Sequence, residues 1–163
     1  MLKASIHDIP LLAGYLHDAY FKPMETSFNR ESALFTMPLT RVWYERGQRG
    51  KLCFIMPVIR YPWIRSLLTI TGVTSMCHKW KNRSDGSDDV QLLLDLATKD
   101  ENSIELWSGD MSITLTVCPP VEFKIRDEAE MNAATRLIDF GTSIFYGLDE
   151  IEKLRIEDRQ AGT

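Results

Sequence analysis

The sequence is poor in the residues that build metal and redox chemistry. It contains three cysteines and three histidines among 163 residues. The cysteines, Cys53, Cys77 and Cys118, are odd in number, lie far apart and form no CxxC pair. Such usage suits a reducing compartment better than a disulfide framework. We therefore expect a cytoplasmic protein.

Long apolar runs are also missing. No stretch approaches the roughly 20 apolar residues that a membrane-spanning helix needs. The opening segment MLKASIHDIP has no continuous apolar region before Asp8 and does not read as a secretory signal. We expect no association with a membrane.

The short motifs of several enzyme classes do not occur. The chain has no GxxxxGK[ST], GxGxxG, GxSxG or HExxH sequence. This lowers the expectation of an enzyme without excluding one, because catalytic residues can converge from distant strands with no local signature. No residue is assigned a catalytic role, and no cofactor is implied.

A zinc site is the one metal site that the residue types allow. Cys77 and His78, with Cys53 and Cys118, would supply three sulfurs and one nitrogen. Their spacing fits no usual zinc knuckle, and all three cysteines lie in apolar strand patterns, where a reduced cysteine acts as a small hydrophobic residue. The SDGSDD stretch lacks the ligand rhythm and the terminal Glu of an EF-hand loop. We expect no metal site.

The overall composition is that of an ordinary globular protein, with 44% hydrophobic and 26% charged residues. The length suits one domain spanning residues 1–163. The first recognisable element is a helix over residues 8–17, with Asp8 as its N-cap and Pro10 in its first turn. Its apolar stripe consists of Ile9, Leu12, Ala13 and Leu16.

Residues 33–126 alternate with the period of two that is typical of β-strands. They predict about seven antiparallel strands, at 34–44, 52–60, 67–71, 73–79, 90–96, 104–107, 111–117 and 121–125. The ERGQRGK turn predicts that the strands at 34–44 and 52–60 pair as a hairpin. Gly72 indicates a bulge or a bend, so that 67–71 and 73–79 are counted as one bent strand.

After residue 126 the pattern returns to that of a helix. Asp127 and Glu130 resemble a capping box, and Met131, Ala134 and Ile138 form a stripe. With a weaker helix at 149–157, they predict a helical C-terminal segment over 127–158. The predicted fold is therefore α+β: a mainly antiparallel sheet of about seven strands, curled or barrel-like, with an N-terminal helix and one or two C-terminal helices.

Three polar residues raise the question of a pocket. His17 and Asp18 lie where the first helix pattern stops, which favours a structural helix end over chemistry. Arg41 shares the predicted buried face of its strand, where an unpaired guanidinium is costly. It must either pair inside the fold, with Asp18 or Glu105, or lie at a pocket mouth or a sheet edge. If the three converge, they form the polar groups of a small enzyme or a small-molecule-binding domain.

Charge placement is the strongest functional signal. Residues 41–83 contain nine basic residues and one acidic residue, a net charge of +8, whereas residues 84–163 carry −11. The basic residues interleave with aromatic residues in ERGQRGK, RYPWIR and HKWKNR, which we predict to be loops. The plain alternative is internal neutralisation, in which the acidic C-terminal segment covers these loops within one chain or across a dimer.

The favoured hypothesis is a non-enzymatic interaction module that contacts an acidic protein partner, or a second copy of itself, through these loops. Its predicted anchors are Arg60, Trp63, Arg65, Lys79, Trp80 and Lys81. A second alternative, binding of single-stranded nucleic acid, is disfavoured because the chain as a whole is acidic, with a pI near 5.4.

Overall fold

The computed structural model describes the backbone of residues 1–52, 56–81 and 89–138, and the side chains of residues 1–47, 61–81 and 89–131. This part of the chain forms one antiparallel sheet of eleven strands and one α-helix, α1 (Ile9–Leu16). The strands are β1 (Leu2–Ser5), β2 (Ala19–Phe21), β3 (Ser27–Asn29), β4 (Leu34–Val42), β5 (Gln48–Leu52), β6 (Met56–Thr71), β7 (Val73–Trp80), β8 (Gln91–Asp100), β9 (Ser103–Ser108), β10 (Met111–Val117) and β11 (Glu122–Ile138). The predicted sheet-rich α+β class is confirmed, and the predicted number of about seven strands is too low.

The helix α1 begins and ends within one residue of its predicted bounds. Asp8 and His17 are its caps, and the His17 amide donates to the Ala13 carbonyl at 2.8 Å. The helix buries Ile9, Leu12 and Leu16 of the predicted stripe, as well as Tyr15. This face packs on β8 and β1, so α1 covers one side of the sheet.

The strands follow the order β1-β11-β6-β4-β2-β8-β9-β10-β7, with β3 added beside β4 and β5 beside β6. In the described part of the chain no pairing joins β1 to β7, so these two strands are the ends of the path. Leu2 of β1, Phe35 of β4 and Leu115 of β10 nevertheless belong to one buried apolar cluster. A flat sheet would keep these strands apart, so the sheet bends around its core.

Gly72 joins β6 to β7 and turns the chain from one part of the sheet to the other. Its φ of +78° lies in the left-handed region, which favours glycine. A Cβ atom at this position would lie 2.6 Å from the Cys118 carbonyl oxygen and 2.7 Å from that of Pro120. The predicted bend at Gly72 is confirmed, and its cause is this close approach of neighbouring backbone.

The predicted hairpin between 34–44 and 52–60 is wrong. β4 pairs with the second half of β6, from Leu34 opposite Thr71 to Val42 opposite Trp63. The first half of β6 pairs instead with β5, which follows β4 after a 3₁₀ turn at Tyr44–Arg46. The turn sequence alone cannot show whether β4 or β5 pairs with the first half of β6, because both strands pair antiparallel with this one long strand.

The predicted helix is also wrong over residues 127–138, where the chain continues as β11. This strand runs beside β6 and shifts register between Asp127 and Ala129, and again between Met131 and Ala134. Such bulges insert extra residues into a strand. The apolar spacing of Met131, Ala134 and Ile138 therefore does not mark a helix, and one of the two register shifts falls inside it, between Met131 and Ala134. Residues 139–158 of the predicted helical segment lie outside the described residues.

Candidate functional site

Arg41 is completely buried and forms the centre of an ionic cluster. Its Nη1 lies 3.1 Å from Glu45 Oε2, and its Nη2 lies 2.8 Å from Asp127 Oδ1. The guanidinium carbon stands 4.0 Å from the centre of the Tyr15 ring, and the Tyr15 hydroxyl donates to Glu45. Ser66 donates to the same Asp127 oxygen at 2.9 Å.

Burial governs the protonation of this cluster. It raises the pKa of the Tyr15 hydroxyl well above its ordinary value, against the opposing effect of Arg41. Burial alone lowers the pKa of Arg41, but the charges of Tyr15, Glu45 and Asp127 raise it overall. The guanidinium therefore stays charged and paired, which makes the cluster a structural ion network. The predicted partners of Arg41, Asp18 and Glu105, are wrong, because the sheet order brings β11 near β4 across β6.

His17 and Asp18 form the end of α1. His17 Nδ1 lies 3.2 Å from Asp18 Oδ1, and both side chains are about half exposed. Asp18 has a φ of +64° and donates its amide to the Leu93 carbonyl at 2.9 Å. Three surface clefts are described, and none is lined by His17, Asp18 or Arg41. His17 and Asp18 are in contact, and besides burial the charges of Asp18 and Arg41 both act on the pKa of Tyr44, but no contact among the described residues joins all three side chains directly.

The basic segment does not form the predicted loops. RYPWIR lies inside β6. The first three residues of HKWKNR lie in β7, Lys81 directly follows that strand, and Asn82 and Arg83 lie outside the described residues. β6 is third and β7 is last in the strand order, six places apart. The predicted anchors therefore belong to two separate regions of the sheet. Arg60 pairs through its backbone with Gln48 and Arg136, and its side chain lies outside the described residues.

Among the described side chains of this segment, three cations contact groups within the fold: Arg41, Arg46 and Lys81. Arg41 is buried in its ion network. The guanidinium carbon of Arg46 lies 4.7 Å from the centre of the Trp43 ring, in cation–π contact. The Arg41–Asp127 pair is the one of these contacts that joins a basic residue of the segment to the acidic C-terminal segment, in the sense of the neutralisation alternative.

Trp63 and Arg65 share the outer face of the sheet, which is the face opposite the core. Arg65 lies beside Thr40 of β4, which in turn lies beside Tyr20 of β2. The Tyr20 and Trp63 rings are 5.4 Å apart and tilted by 39°. Met131 is the cross-strand neighbour of Trp63. Together with Val90, these residues make up what we call the aromatic patch: Tyr20, Trp63, Arg65, Val90 and Met131.

The aromatic patch borders an open cleft of about 410 Å³. Arg65 and Lys22 line this cleft together with the carboxylates of Glu25 and Glu128. Lys22 Nζ lies 3.6 Å from Glu25 Oε1, and Arg126 Nη2 lies 3.1 Å from Glu128 Oε1. Both carboxylates thus have cations of their own, and the described residues give Arg65 no ion pair.

Trp63 is held in place by a small apolar cluster on the outer face. Val42, Tyr44 and Tyr61 are buried there, and Trp63 packs against them. The Tyr44 and Tyr61 rings meet edge to face at 5.3 Å. Such packing fixes the ring of Trp63 before any partner binds, which reduces the entropy lost on binding.

The three anchors near the end of β7 differ from one another. Lys79 and Lys81 are exposed, and Lys81 Nζ lies 4.8 Å from the centre of the Trp107 ring. Trp80 is half-buried and packs against the main core. An aromatic anchor is thus present beside the lysines, but it is Trp107 of β9, which the sequence did not single out.

Cys77 and Cys118 are free and exposed, so the prediction that they behave as buried hydrophobic residues is wrong. The side chain of Cys53 lies outside the described residues. The described residues contain no group of three His, Cys, Asp or Glu side chains placed to hold a metal ion. The described part of the chain contains no helix that is both long enough and apolar enough to cross a membrane.

Sequence reasoning missed Tyr20, Met131 and Trp107 as surface residues. Tyr20 lies on a strand of three residues, too short to show an alternation. Met131 was assigned to a helical stripe. Both become visible only when neighbouring strands place them beside Trp63.

Comparisons of the chain with protein-family models, with curated proteins and with solved structures found no match. The functional conclusion rests on the geometry of the chain itself.

Proposed function

We propose that this protein is a non-enzymatic interaction module that docks an acidic protein partner on the aromatic patch. Tyr20, Trp63 and Met131 supply the apolar contact, and Arg65 binds a carboxylate of the partner. The observation that carries the proposal is the pre-ordered aromatic pair of exposed Tyr20 and half-buried Trp63 on the outer face of the sheet, beside Arg65, which forms no ion pair with the described residues.

The concentration of exposed apolar side chains supports a docking role. Tyr20 is 43% exposed, Val90 55% and Met131 38%, and these three large hydrophobic residues all belong to the patch. The solvent face of an antiparallel sheet is ordinarily polar. Aromatic residues, Met and Arg are the residue types enriched at the centres of protein interfaces.

Charge supports an acidic partner over a neutral or basic one. Arg65 is exposed, and the neighbouring cleft carboxylates are held by Lys22 and Arg126. A guanidinium binds a carboxylate through two parallel hydrogen bonds, which fixes orientation as well as charge. A cytoplasmic location forms part of the proposal, because exposed free thiols such as Cys77 suit a reducing compartment.

The test is affinity capture from the lysate of the native host, followed by identification of what is bound. Three folded variants are compared with the unmodified chain: Arg65→Glu, Tyr20→Ala and, as a matched charge reversal outside the patch, Arg30→Glu. We expect an acidic protein that is retained by Arg30→Glu and lost with the two patch variants.

Two results would contradict the proposal. If the same proteins are captured by all variants, the patch is not an interface. If the species lost with Arg65→Glu is a nucleic acid whose affinity falls steeply with salt, the alternative of single-stranded nucleic-acid binding replaces the protein partner.

A further inference from the structure

We infer that the edge of β7 that none of the described strands covers binds an extended acidic segment of a partner, which joins the sheet as an additional strand. This surface is separate from the aromatic patch, and the inference goes beyond the function proposed above without depending on it. Its basis is the position of β7 in the sheet, the direction of its backbone groups and the charges along it.

β7 is the last strand of the sheet order, and β10 is the strand that pairs with it in the described part of the chain. Its residues from Thr74 onward are exposed except for Met76 and Trp80, which are half-buried. An exposed strand at a sheet edge offers unpaired amides and carbonyls to another chain. The start of this edge is closed, because the Val73 amide donates to the Ala33 carbonyl at 3.0 Å.

The direction of the remaining backbone groups follows from one hydrogen bond. The Lys81 amide donates to the Asp110 carbonyl at 2.9 Å, toward the β10 side. Successive residues of a strand turn their backbone groups to opposite sides. Lys79 and Cys77 therefore face β10, whereas Met76, His78 and Trp80 face away from it. Their outward groups suit a short added strand of about five residues.

Charge selects the kind of strand that fits. β7 contains no carboxylate, and it carries His78 and Lys79 with Lys81 directly after it. Lysines at a sheet edge oppose pairing with a second, equally basic copy. They favour a strand whose carboxylates lie opposite them, because side chains on paired strands interact directly across the pair. The occupant is therefore an acidic extended segment with carboxylates at alternate positions.

The test uses a synthetic peptide of about six residues in which Glu alternates with Thr. Amide hydrogen exchange of the full chain is measured with and without this peptide. In the free protein we expect fast exchange at Met76, His78 and Trp80 and slow exchange at Cys77 and Lys79. With the Glu peptide, exchange at the three outward amides should slow by about ten-fold or more.

Two variants separate strand addition from nonspecific charge attraction. His78→Pro removes an outward amide, which an edge strand tolerates, and it should abolish protection while β10 stays paired. The double variant Lys79→Glu, Lys81→Glu should bind the Glu peptide more weakly, by about ten-fold or more, and it should prefer a matched peptide with Lys in place of Glu. If His78→Pro does not fold, the charge-reversed variant still tests whether the lysines at β7 select an acidic strand.

The inference is overturned if the outward amides are already protected in the free protein, or if neither variant alters binding of the Glu peptide. Arg65→Glu should leave this peptide bound as before. The β7 proposal and the aromatic-patch proposal can therefore fail independently, because hydrogen exchange with the β7 variants tests the first and affinity capture with the patch variants tests the second.

Discussion

Arg41 Nη2 lies 2.8 Å from Asp127 Oδ1, and this ion pair joins β4 to β11 across the strand between them. Ser66 of that intervening strand, β6, donates to the same carboxylate oxygen at 2.9 Å. A single carboxylate therefore ties three adjacent strands together at the buried end of the cluster. Removing it would leave a fully buried guanidinium short of a partner.

Replacing Asp127 with Ala should lower the free energy of unfolding by about 3 kcal/mol, because breaking a buried pair leaves an uncompensated charge. Ser66→Ala should cost about 1 kcal/mol, the usual value of one hydrogen bond. Urea denaturation measures both. Glu122→Ala is the control, since its ion pair with Lys124 is largely exposed and should change stability far less than the loss of Asp127 does. Equal effects of Asp127→Ala and Glu122→Ala would contradict a structural role for the network.

Alkaline pH should destabilise the fold through its buried tyrosines. Burial raises the pKa of Tyr44 from 10.0 to about 12, and that of Tyr15 rises too. In the unfolded chain these hydroxyls ionise near their ordinary pKa, whereas the folded chain keeps their protons. The stabilisation is therefore complete below pH 10 and is lost as the pH rises toward about 12.

Denaturation at successive pH values measures this loss. Tyr44→Phe and Tyr15→Phe should each reduce the dependence of the free energy of unfolding on pH in the alkaline range, because the ionisable hydroxyl is gone. Tyr20→Phe, at an exposed position, is the control. An unchanged alkaline profile in both buried variants would refute the assignment.

Two glycines should respond in opposite directions to replacement by alanine. Gly72→Ala places a side chain at positive φ and within 2.6 Å of a carbonyl oxygen, and we expect a loss of about 2 kcal/mol or more. Gly14→Ala adds a methyl group in α1 with nothing within 4 Å, and should gain about 0.5–1 kcal/mol. Thermal unfolding compares the two, and a stable Gly72→Ala protein would show that the bend does not require glycine.

The exposed thiols of Cys77 and Cys118 should react with a thiol reagent in the folded protein. Single Cys77→Ser and Cys118→Ser variants should each lower the number of thiols that react before unfolding by one. The reagent's absorbance counts these thiols, and denaturation then gives the total. If either variant keeps the native count, that cysteine is inaccessible.

The sequence by itself determined the helix over 8–17 and several of the strands that follow it, namely β4, β7, β8, β9 and β10, whereas β6 runs through the predicted RYPWIR loop. The alternation also predicted a buried face for the strand that carries Arg41, and β4 buries Arg41 together with Phe35, Met37 and Leu39. These features are local, because the alternation of side chains along a strand depends only on the residues of that strand. The position of Arg41 on a buried face followed from the same alternation.

Only the tertiary structure decided which strands pair, which residues share a surface and which edge stays open. Backbone hydrogen bonds are the same for every residue type, so a strand pattern does not name its neighbour. Strand pairing brought Asp127 into an ion pair with Arg41. It also placed Tyr20 and Met131 beside Trp63 and put Trp63 and Lys79 in separate regions of the sheet. Pairing with β6, with its two register shifts, likewise made residues 127–138 a strand in place of the predicted helix.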